Sequence, residues 1–560
     1  MKKLLILSIF ATLLCGVACN RDEVITVDPR PVITLDDEDG VYSIKHGKSL
    51  TISVSVQYAE GCEWLLDGKK VATGTTYTFV ADEVGTFYLT LRATNETGTT
   101  EEGLRIEVME LLPPTIGFAL DAEGVMTIAK GREQRFAPDI LNGEEASFEW
   151  LLDGKSIATT ATFAHTFAEA GSHTLALTVT NEDGTATQEI ALEVVNRLAG
   201  TIYIPTRRTV ALGRTLYLIP TLNEFAAPTF AWSVDGKAAG TEQIFAFTPT
   251  AEGDYSITLR VTDSDGYTAT ENIAVTCCAT EGTFRRTAEE TSAKSWNKVY
   301  EYTPAPGQFI NESLSGFEGV TSPAEAITYA EKRLTEGKYL SLGGWGGYVV
   351  VGFDHSIANT GDNDFSVAGN MFTDSSEAGI VWVMQDTNGN GLPDDEWYEL
   401  RGSEWGGDTH TQNYAVRYYR PVAAAMNVQW RDNLRTEGRI TRNATHTHDY
   451  YYPTWLTEAH YTLYGSRLAP NTTTDTSGRY INNPYAWGYA DNKGSDAEAG
   501  ADSSNAAKCY FKISNAVNID GSAADLQYID FVKVQTAINF VAGALGEIST
   551  EVFGFEDENM

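Results

Sequence analysis

From about residue 30 to residue 278 the chain alternates apolar and polar positions in short runs, separated by Asp-Gly and Asn-x-x-Gly turns. Thr86-Phe87-Tyr88-Leu89-Thr90-Leu91 is one such run, His173 to Val179 a second and Asp254 to Val261 a third. A period of two belongs to strands with one buried face, and the turn residues between them predict antiparallel pairing. The runs also repeat. Glu63-Trp64-Leu65-Leu66-Asp67-Gly68-Lys69 returns as Glu149-Trp150-Leu151-Leu152-Asp153-Gly154-Lys155, and more loosely as Ala231-Trp232-Ser233-Val234-Asp235-Gly236-Lys237. Each tryptophan is followed 21 residues later by a glycine (Gly85, Gly171, Gly253) and 34 residues later by a turn glycine (Gly98, Gly184, Gly266). A spacing of 86 and then 82 residues marks a tandem array. The predicted units are 30–110, 114–197 and 200–278, each a β-sandwich with its tryptophan turned to the core.

The pattern changes over 284–560. Ser322, Pro323 and Glu325 form a helix start with a capping box, Ile327, Ala330 and Leu334 supply a buried stripe, and Gly337 ends it. Strand patterns then resume at Tyr348 to Phe353, Gly379 to Gln385, Trp397 to Leu400, Tyr414 to Arg420 and Leu526 to Gln535. Long polar loops, 354–378 and 465–508, lie between them, and loops of that length are usually functional. The expected fold class is mainly β: three tandem immunoglobulin/PKD-like sandwiches, then a large jelly-roll-like β-sandwich with one helix.

The first residues are read as an address. Lys2 and Lys3 precede an apolar stretch from Leu4 to Leu14, too short to span a bilayer, which ends in Gly16-Val17-Ala18-Cys19. This resembles a bacterial lipoprotein signal. It implies a signal peptide over 1–18, lipidation of Cys19, a linker over 19–29 and membrane contact only through the lipid. Asp22-Glu23 resembles the surface-export signal of Bacteroidetes lipoproteins, which implies the outer-membrane cell surface. Three sandwiches of about 85 residues, each with a radius of gyration near ~12 Å, would then act as a spacer on the order of 90 Å long. Cys62, Cys277, Cys278 and Cys509 show no zinc-site spacing and no disulfide framework.

Composition narrows the class. With 40 Lys+Arg against 76 Asp+Glu the formal charge is −36, spread over both halves, which argues against nucleic-acid or anionic-lipid binding. The sharpest motif is Asp386-Thr387-Asn388-Gly389-Asn390-Gly391-Leu392-Pro393-Asp394-Asp395-Glu396-Trp397. Side-chain oxygens at Asp386, Asn388, Asn390 and Asp394, with the Leu392 carbonyl and a tight-turn glycine, match a structural Ca2+ loop. Asp395 or Glu396 is expected to complete the shell. Trp397 stands where an EF-hand has its bidentate glutamate, and strands flank the loop, so this is no EF-hand. His446-Thr447-His448 puts two imidazoles on one strand face, but a structural pair is the favoured reading. No catalytic motif is present, and a non-enzymatic role is expected. Aromatic residues in glycine- or proline-broken loops are the remaining candidates for a ligand platform: Trp345, Trp405, Tyr452, Trp455, Tyr485 and Trp487.

The tryptophan repeats resemble PKD domains, with Trp-Leu-Leu-Asp-Gly-Lys in place of the usual acidic motif. Gly352-Phe353-Asp354-His355-Ser356-Ile357, the calcium-like loop and Leu545-Gly546-Glu547-Ile548-Ser549-Thr550-Glu551-Val552 together resemble the C-terminal domain of PKD-bearing surface lipoproteins of gut Bacteroidetes. Proteins of this type accompany vitamin B12 uptake loci, and the layout is similar to surface cobalamin-binding lipoproteins. The resemblance implies capture of a nutrient, plausibly cobalamin, for an outer-membrane TonB-dependent transporter. The alternatives are a glycan-binding protein or glycosidase accessory, and an adhesin that binds protein through the PKD-like stalk.

Overall fold

In the computed structural model the described residues are 28–37, 39–120, 124–372, 374–500 and 506–560. The signal segment and Cys19 lie outside them. The chain divides into two units, one ending at Leu112 and the other running from Pro113 to the C-terminus.

The first unit is one sandwich. Val41–Lys45, Gly98–Met109, Gly85–Asn95, Gly61–Leu66 and Lys69–Thr73 form a five-stranded sheet in that order, with two strand pairs packed on it. Its first strand runs parallel to the long Gly98–Met109 strand and the other pairings are antiparallel. The second unit repeats this arrangement twice, over the ranges containing Trp150 and Trp232, and then forms the large C-terminal domain. Trp64, Trp150 and Trp232 are buried at the same register, opposite Leu91, Leu177 and Leu259. The Asp-Gly pairs after them turn their strands with both residues at positive φ (46° and 79° at Asp67-Gly68), as a tight two-residue hairpin requires.

The C-terminal domain is built on an antiparallel six-stranded sheet in the order Lys298–Thr303, Tyr348–Ala358, Tyr528–Thr536, Gly379–Met384, Trp397–Leu400, Ala516–Val517. One face, carrying Val349, Val351, Val381, Val383, Val532 and Val534, forms the main core with a three-stranded sheet made of Ala507–Phe511, Phe365–Gly369 and Gly554–Asp557. The helix Pro323–Thr335 packs at the Lys298–Thr303 edge. Ser322 caps it as expected, although the Glu325 carboxylate accepts from the Thr321 N–H, at 2.8 Å, and not from the cap residue. The other face meets a four-stranded sheet, Glu437–Ile440, Val428–Asp432, His410–Tyr419 and His460–Leu468. The expected long loops carry short strands of their own, among them Phe365–Gly369 and Tyr480–Asn482. Among the described residues all four cysteines are free.

One expectation is corrected. The second and third sandwiches are not free-standing spacer links, because both pack on the C-terminal domain. Asp139 of the second accepts from the Asn427 backbone at 2.9 Å and its side chain at 2.8 Å. Arg208 of the third forms a paired ion bond with Glu396, and its Arg214 donates to the Ala524 and Asp525 carbonyls. Glu224 joins all three parts, bound by Arg132 at 2.8 Å and Arg435 at 2.9 Å. A period-two pattern reports which strand face is buried within a domain. It carries no information on which outer surface meets a neighbour.

Candidate functional site

The outward row of the six-stranded sheet is set by register. Glu301 lies beside Val350, Val350 beside Lys533, Lys533 beside Trp382 and Trp382 beside Glu399, so these side chains share one face across five strands. Thr303, Tyr348 and Gln535 form the next row on the same face. This surface floors a cavity of about 450 Å³ walled by Leu456, Glu458 and Tyr461 to Tyr464. The volume falls within the range of small-ligand sites, about 300–1,000 Å³.

Lys533 is its central charge. The ammonium lies 4.9 Å from the Trp382 ring centre, 4.8 Å from Trp397 and 5.8 Å from Tyr348. Burial against these rings lowers its pKa to about 8, with the charges of Glu301 and Glu399 opposing that shift. The Glu301 carboxylate accepts from the Tyr348 hydroxyl at 2.9 Å. Glu399 is held by Ser466 at 2.6 Å and by His410 at 2.9 Å. The Gln535 amide donates to the Gly346 and Tyr464 carbonyls, which fixes its orientation. The polar groups are therefore preorganised, and Tyr464, 62% exposed, offers a free ring at the mouth.

Sequence reasoning missed this site. Trp397 drew attention only as the end of the calcium-like loop. Lys533 and Gln535 sit in a stretch read only as a strand, although Val-Lys-Val-Gln is itself the signal of a valine face backed by a polar one.

The aromatic candidates fare differently. Trp345, Tyr452, Trp455 and Tyr485 are core residues. The Trp345 indole donates to the Ser466 carbonyl and meets the Tyr414 ring edge-on at 4.6 Å. Trp455 stacks on Phe317 at 5.6 Å, and the hydroxyls of Tyr452 and Tyr485 bond the Glu458 and Ala469 carbonyls. The glycines beside Trp345 serve close chain packing: a Cβ at Gly343 or Gly347 would run into the Ala305 or Leu342 carbonyl. Half-buried Trp405 packs over Gly521 and under Arg401. Half-buried Trp487 accepts at its carbonyl from the Ser403 N–H. None of the six lines the cavity.

The calcium-like loop is the hairpin that joins the Gly379–Met384 strand to the Trp397–Leu400 strand, so it sets the position of Trp397. Buried Asp386 accepts from the Gly389 and Asn390 N–H groups with one oxygen and from Gly391 with the other. The Asn388 and Asn390 amides both converge on Asp394, at 3.0 to 3.1 Å. The amide oxygens of Asn388 and Asn390 accept in turn from the Asn390 N–H at 2.9 Å and the Leu392 N–H at 2.7 Å, so the loop's side chains brace its own turn. Asp395 and Glu396 are bonded elsewhere. The Asp395 carboxylate binds the Thr387 hydroxyl at 2.8 Å and N–H at 2.9 Å, and Glu396 is taken by Arg208. Asp530 holds the loop's first residue, accepting from the Asp386 N–H while it also binds Ser356 and Arg286.

His446 and His448 each have a protein hydrogen-bond partner of their own. His446 bonds Glu312 at 2.6 Å, and His448 bonds the Gln308 carbonyl at 2.8 Å.

A second acidic group was invisible in sequence because its members come from distant segments. Glu377, Asp491 and Glu551 bring carboxylate oxygens within 4.8 Å of one another. Burial and mutual repulsion push Glu377 and Asp491 well above the usual carboxylate range, and burial raises Glu551 against the hydrogen bonds that lower it. A raised carboxyl pKa favours the folded state while the group is protonated. That contribution is complete below the ordinary carboxylate pKa and is lost as pH rises through the folded values. Glu377→Gln is therefore expected to flatten the fall in melting temperature as pH rises from the ordinary carboxylate range through the raised folded values, measured with chelator present. Parallel curves for variant and wild type would contradict the pairing.

Residues 30–95 match the sequence model of a PKD-like domain and residues 117–194 that of a PKD domain. The chain is 24% identical to human polycystin-1 over 334 residues, which is 57% of this chain and 7% of polycystin-1. Among solved structures, an I-band fragment of titin is 16% identical with a TM-score of 0.23, over 45% of this chain and 100% of the fragment. Fibronectin(III)-like modules of Clostridium thermocellum CbhA are also 16% identical, with a TM-score of 0.19, over 29% of this chain and 94% of the modules. Among the described residues no helix is long and apolar enough to cross a membrane. PKD- and immunoglobulin-like architecture of this kind is typical of non-catalytic binding proteins and consistent with an extracellular or cell-surface setting.

Proposed function

We propose that this chain is a surface-exposed binding protein, lipidated at Cys19, that captures a saccharide in the cavity over Lys533. The observation that carries this reading is the cavity's composition: the rings of Trp397, Tyr348 and Tyr464 beside Glu301, Glu458, Lys533 and Gln535. A pyranose presents apolar C–H faces and a rim of hydroxyls. Rings cover the first, and fixed carboxylate, amide and amine groups bond the second. The glycan reading stands ahead of cobalamin because a corrinoid is too bulky for a cavity of about 450 Å³ and would have to lie across its mouth. Hand-over to an outer-membrane TonB-dependent transporter, with the signal-like N-terminus as its support, is the setting in which we place this capture.

The test is a glycan array probed with the intact chain, alongside gel filtration with cobalamin followed by visible absorbance. Saccharide signal that disappears in Trp397→Ala supports the reading. A blank array with cobalamin co-elution would replace it with vitamin capture.

In the same proposal calcium fills the loop through Asp386, Asn388, Asn390, Asp394 and the Leu392 carbonyl. Bound there, it would fix the hairpin that carries Trp397. Adding calcium to chelated protein at 100 times its Kd is expected to stabilise the fold by about 2.7 kcal/mol, read by thermal melting. Asp394→Ala is expected to lose that response. An unchanged melting curve in the wild type would remove calcium from the account.

A further inference from the structure

The loop between the Gly379–Met384 and Trp397–Leu400 strands runs from Gln385 to Glu396, and the third sandwich grips it at both ends. At the last residue, Arg208 donates to both oxygens of Glu396, one of the two bonds measuring 2.8 Å. The two side chains are 10% and 16% exposed, so the pair is largely shielded from water, unlike a surface ion pair. A guanidinium fork set on a carboxylate fixes direction as well as distance. At the first residue, the Gln385 amide donates at 2.7 Å to Glu281, just past the sandwich. Glu281 is held in turn by Arg214 of the sandwich, also at 2.7 Å. At the tip, Phe284 lies against Gly389, where a Cβ would strike its ring.

Trp397 is the residue after Glu396. It lines the cavity, with its ring 4.8 Å from the Lys533 ammonium. It is also the first residue of its strand, so ladder pairing ends there, opposite Met384. Within the C-terminal domain, Asp530 braces the start of the loop, and the Thr387–Asp395 bonds tie its two arms together. Neither brace reaches the Glu396 carboxylate, whose ion-pair partner among the described residues is Arg208. The side-chain anchor next to Trp397 therefore comes from another domain.

We infer, resting on saccharide capture over Lys533, that the third sandwich is a working part of the site: Arg208 is a positioning residue that sets Trp397 through Glu396. A ring that stacks on a sugar binds best when its plane is fixed before the ligand arrives, because each side chain frozen on binding costs affinity. The clamp supplies that fixing. It also gives the packing of this sandwich on the C-terminal domain a role that a spacer would not need.

The test uses the intact chain. Arg208→Ala alone would strand the Glu396 carboxylate, so the main variant joins Arg208→Met to Glu396→Gln, which removes both charges and keeps the volume. Arg208→Lys keeps the charge but loses the fork. One readout is fluorine NMR of ligand-free protein labelled with fluorotryptophan, the Trp397 signal being assigned from Trp397→Phe. The other is calorimetric affinity for the strongest neutral saccharide from the glycan array. In the double variant the Trp397 signal is expected to shift or broaden while the Trp382 signal stays in place. Affinity is expected to fall about 10-fold there and by less in Arg208→Lys. A double variant with the wild-type Trp397 signal would overturn the role of Arg208, whether or not binding is lost. The two failures are distinct. Capture over Lys533 falls if Trp397→Ala binds as wild type does, whereas the Arg208 role falls if Trp397→Ala loses binding and the double variant does not.

Discussion

His355→Ala is expected to cost about 3–5 kcal/mol of stability, a large part of what holds a domain folded. His355 is 1% exposed and lies between two carboxylates, Asp354 at 2.6 Å from Nδ1 and Asp557 at 2.8 Å from Nε2. Burial alone lowers an imidazole pKa and is the largest single influence here. The hydrogen bonds and charges of Asp354 and Asp557 together outweigh it, and the result lies above the ordinary 6.5. Removing the imidazolium leaves Asp557 buried without its cation, which is why the cost exceeds that of a surface ion pair. The sign in pH follows. The extra stability is complete below pH 6.5 and is lost as pH rises through the raised folded value. Denaturant melts of wild type and His355→Ala should therefore differ most in mild acid and converge in mild alkali. A gap that does not change with pH would mean that His355 acts by packing alone.

The three motifs that resemble surface lipoproteins are tied together through such buried polar groups. Ser356 and the first residue of the calcium-like loop meet on Asp530. Glu547 accepts from the Gln308 N–H at 2.7 Å, and Glu551 joins the acidic group with Asp491. Apart from Trp397 at the end of the loop, they form the frame behind the ligand-facing sheet surface and do not line the cavity over Lys533.

The second large effect concerns Lys533. Lys533→Met is expected to abolish ligand binding while leaving the protein at least as stable at neutral pH, because a desolvated cation gives way to an apolar side chain of similar length. A base with a depressed folded pKa destabilises the fold whenever it is charged. The cost is absent above the unfolded value of about 10.4, grows as pH falls towards the folded value and is complete below it. For Lys533 that folded value is about 8. The stability gain of Lys533→Met over wild type should accordingly widen between pH 10 and 8 and then level off. A variant that is both destabilised and still able to bind would show that the amine serves packing and takes no part in capture.

Much of the first half was readable from sequence. Trp64, Trp150 and Trp232, the Asp-Gly hairpins and the strand-opening glycines report local conformation and single-face burial, and both leave period-two traces. The helix at Ser322 was readable for the same local reason. The C-terminal site was not. Trp345 and Trp455 look like loop aromatics, yet they are buried because distant strands close over them. Trp382, Lys533 and Glu301 meet only through the register of strands up to 232 residues apart. The calcium-like loop lay between these cases. Its oxygens at alternate positions were legible, but the diversion of Glu396 to Arg208 depends on the third sandwich docking on the C-terminal domain.

The measurement that bears most directly on capture over Lys533 is calorimetric titration of the strongest neutral array saccharide into the intact wild type and Trp397→Ala. The account predicts one site per chain and a loss of about 30-fold or more in Trp397→Ala. Equal affinity in wild type and Trp397→Ala, with melting temperatures showing both folded, would contradict it.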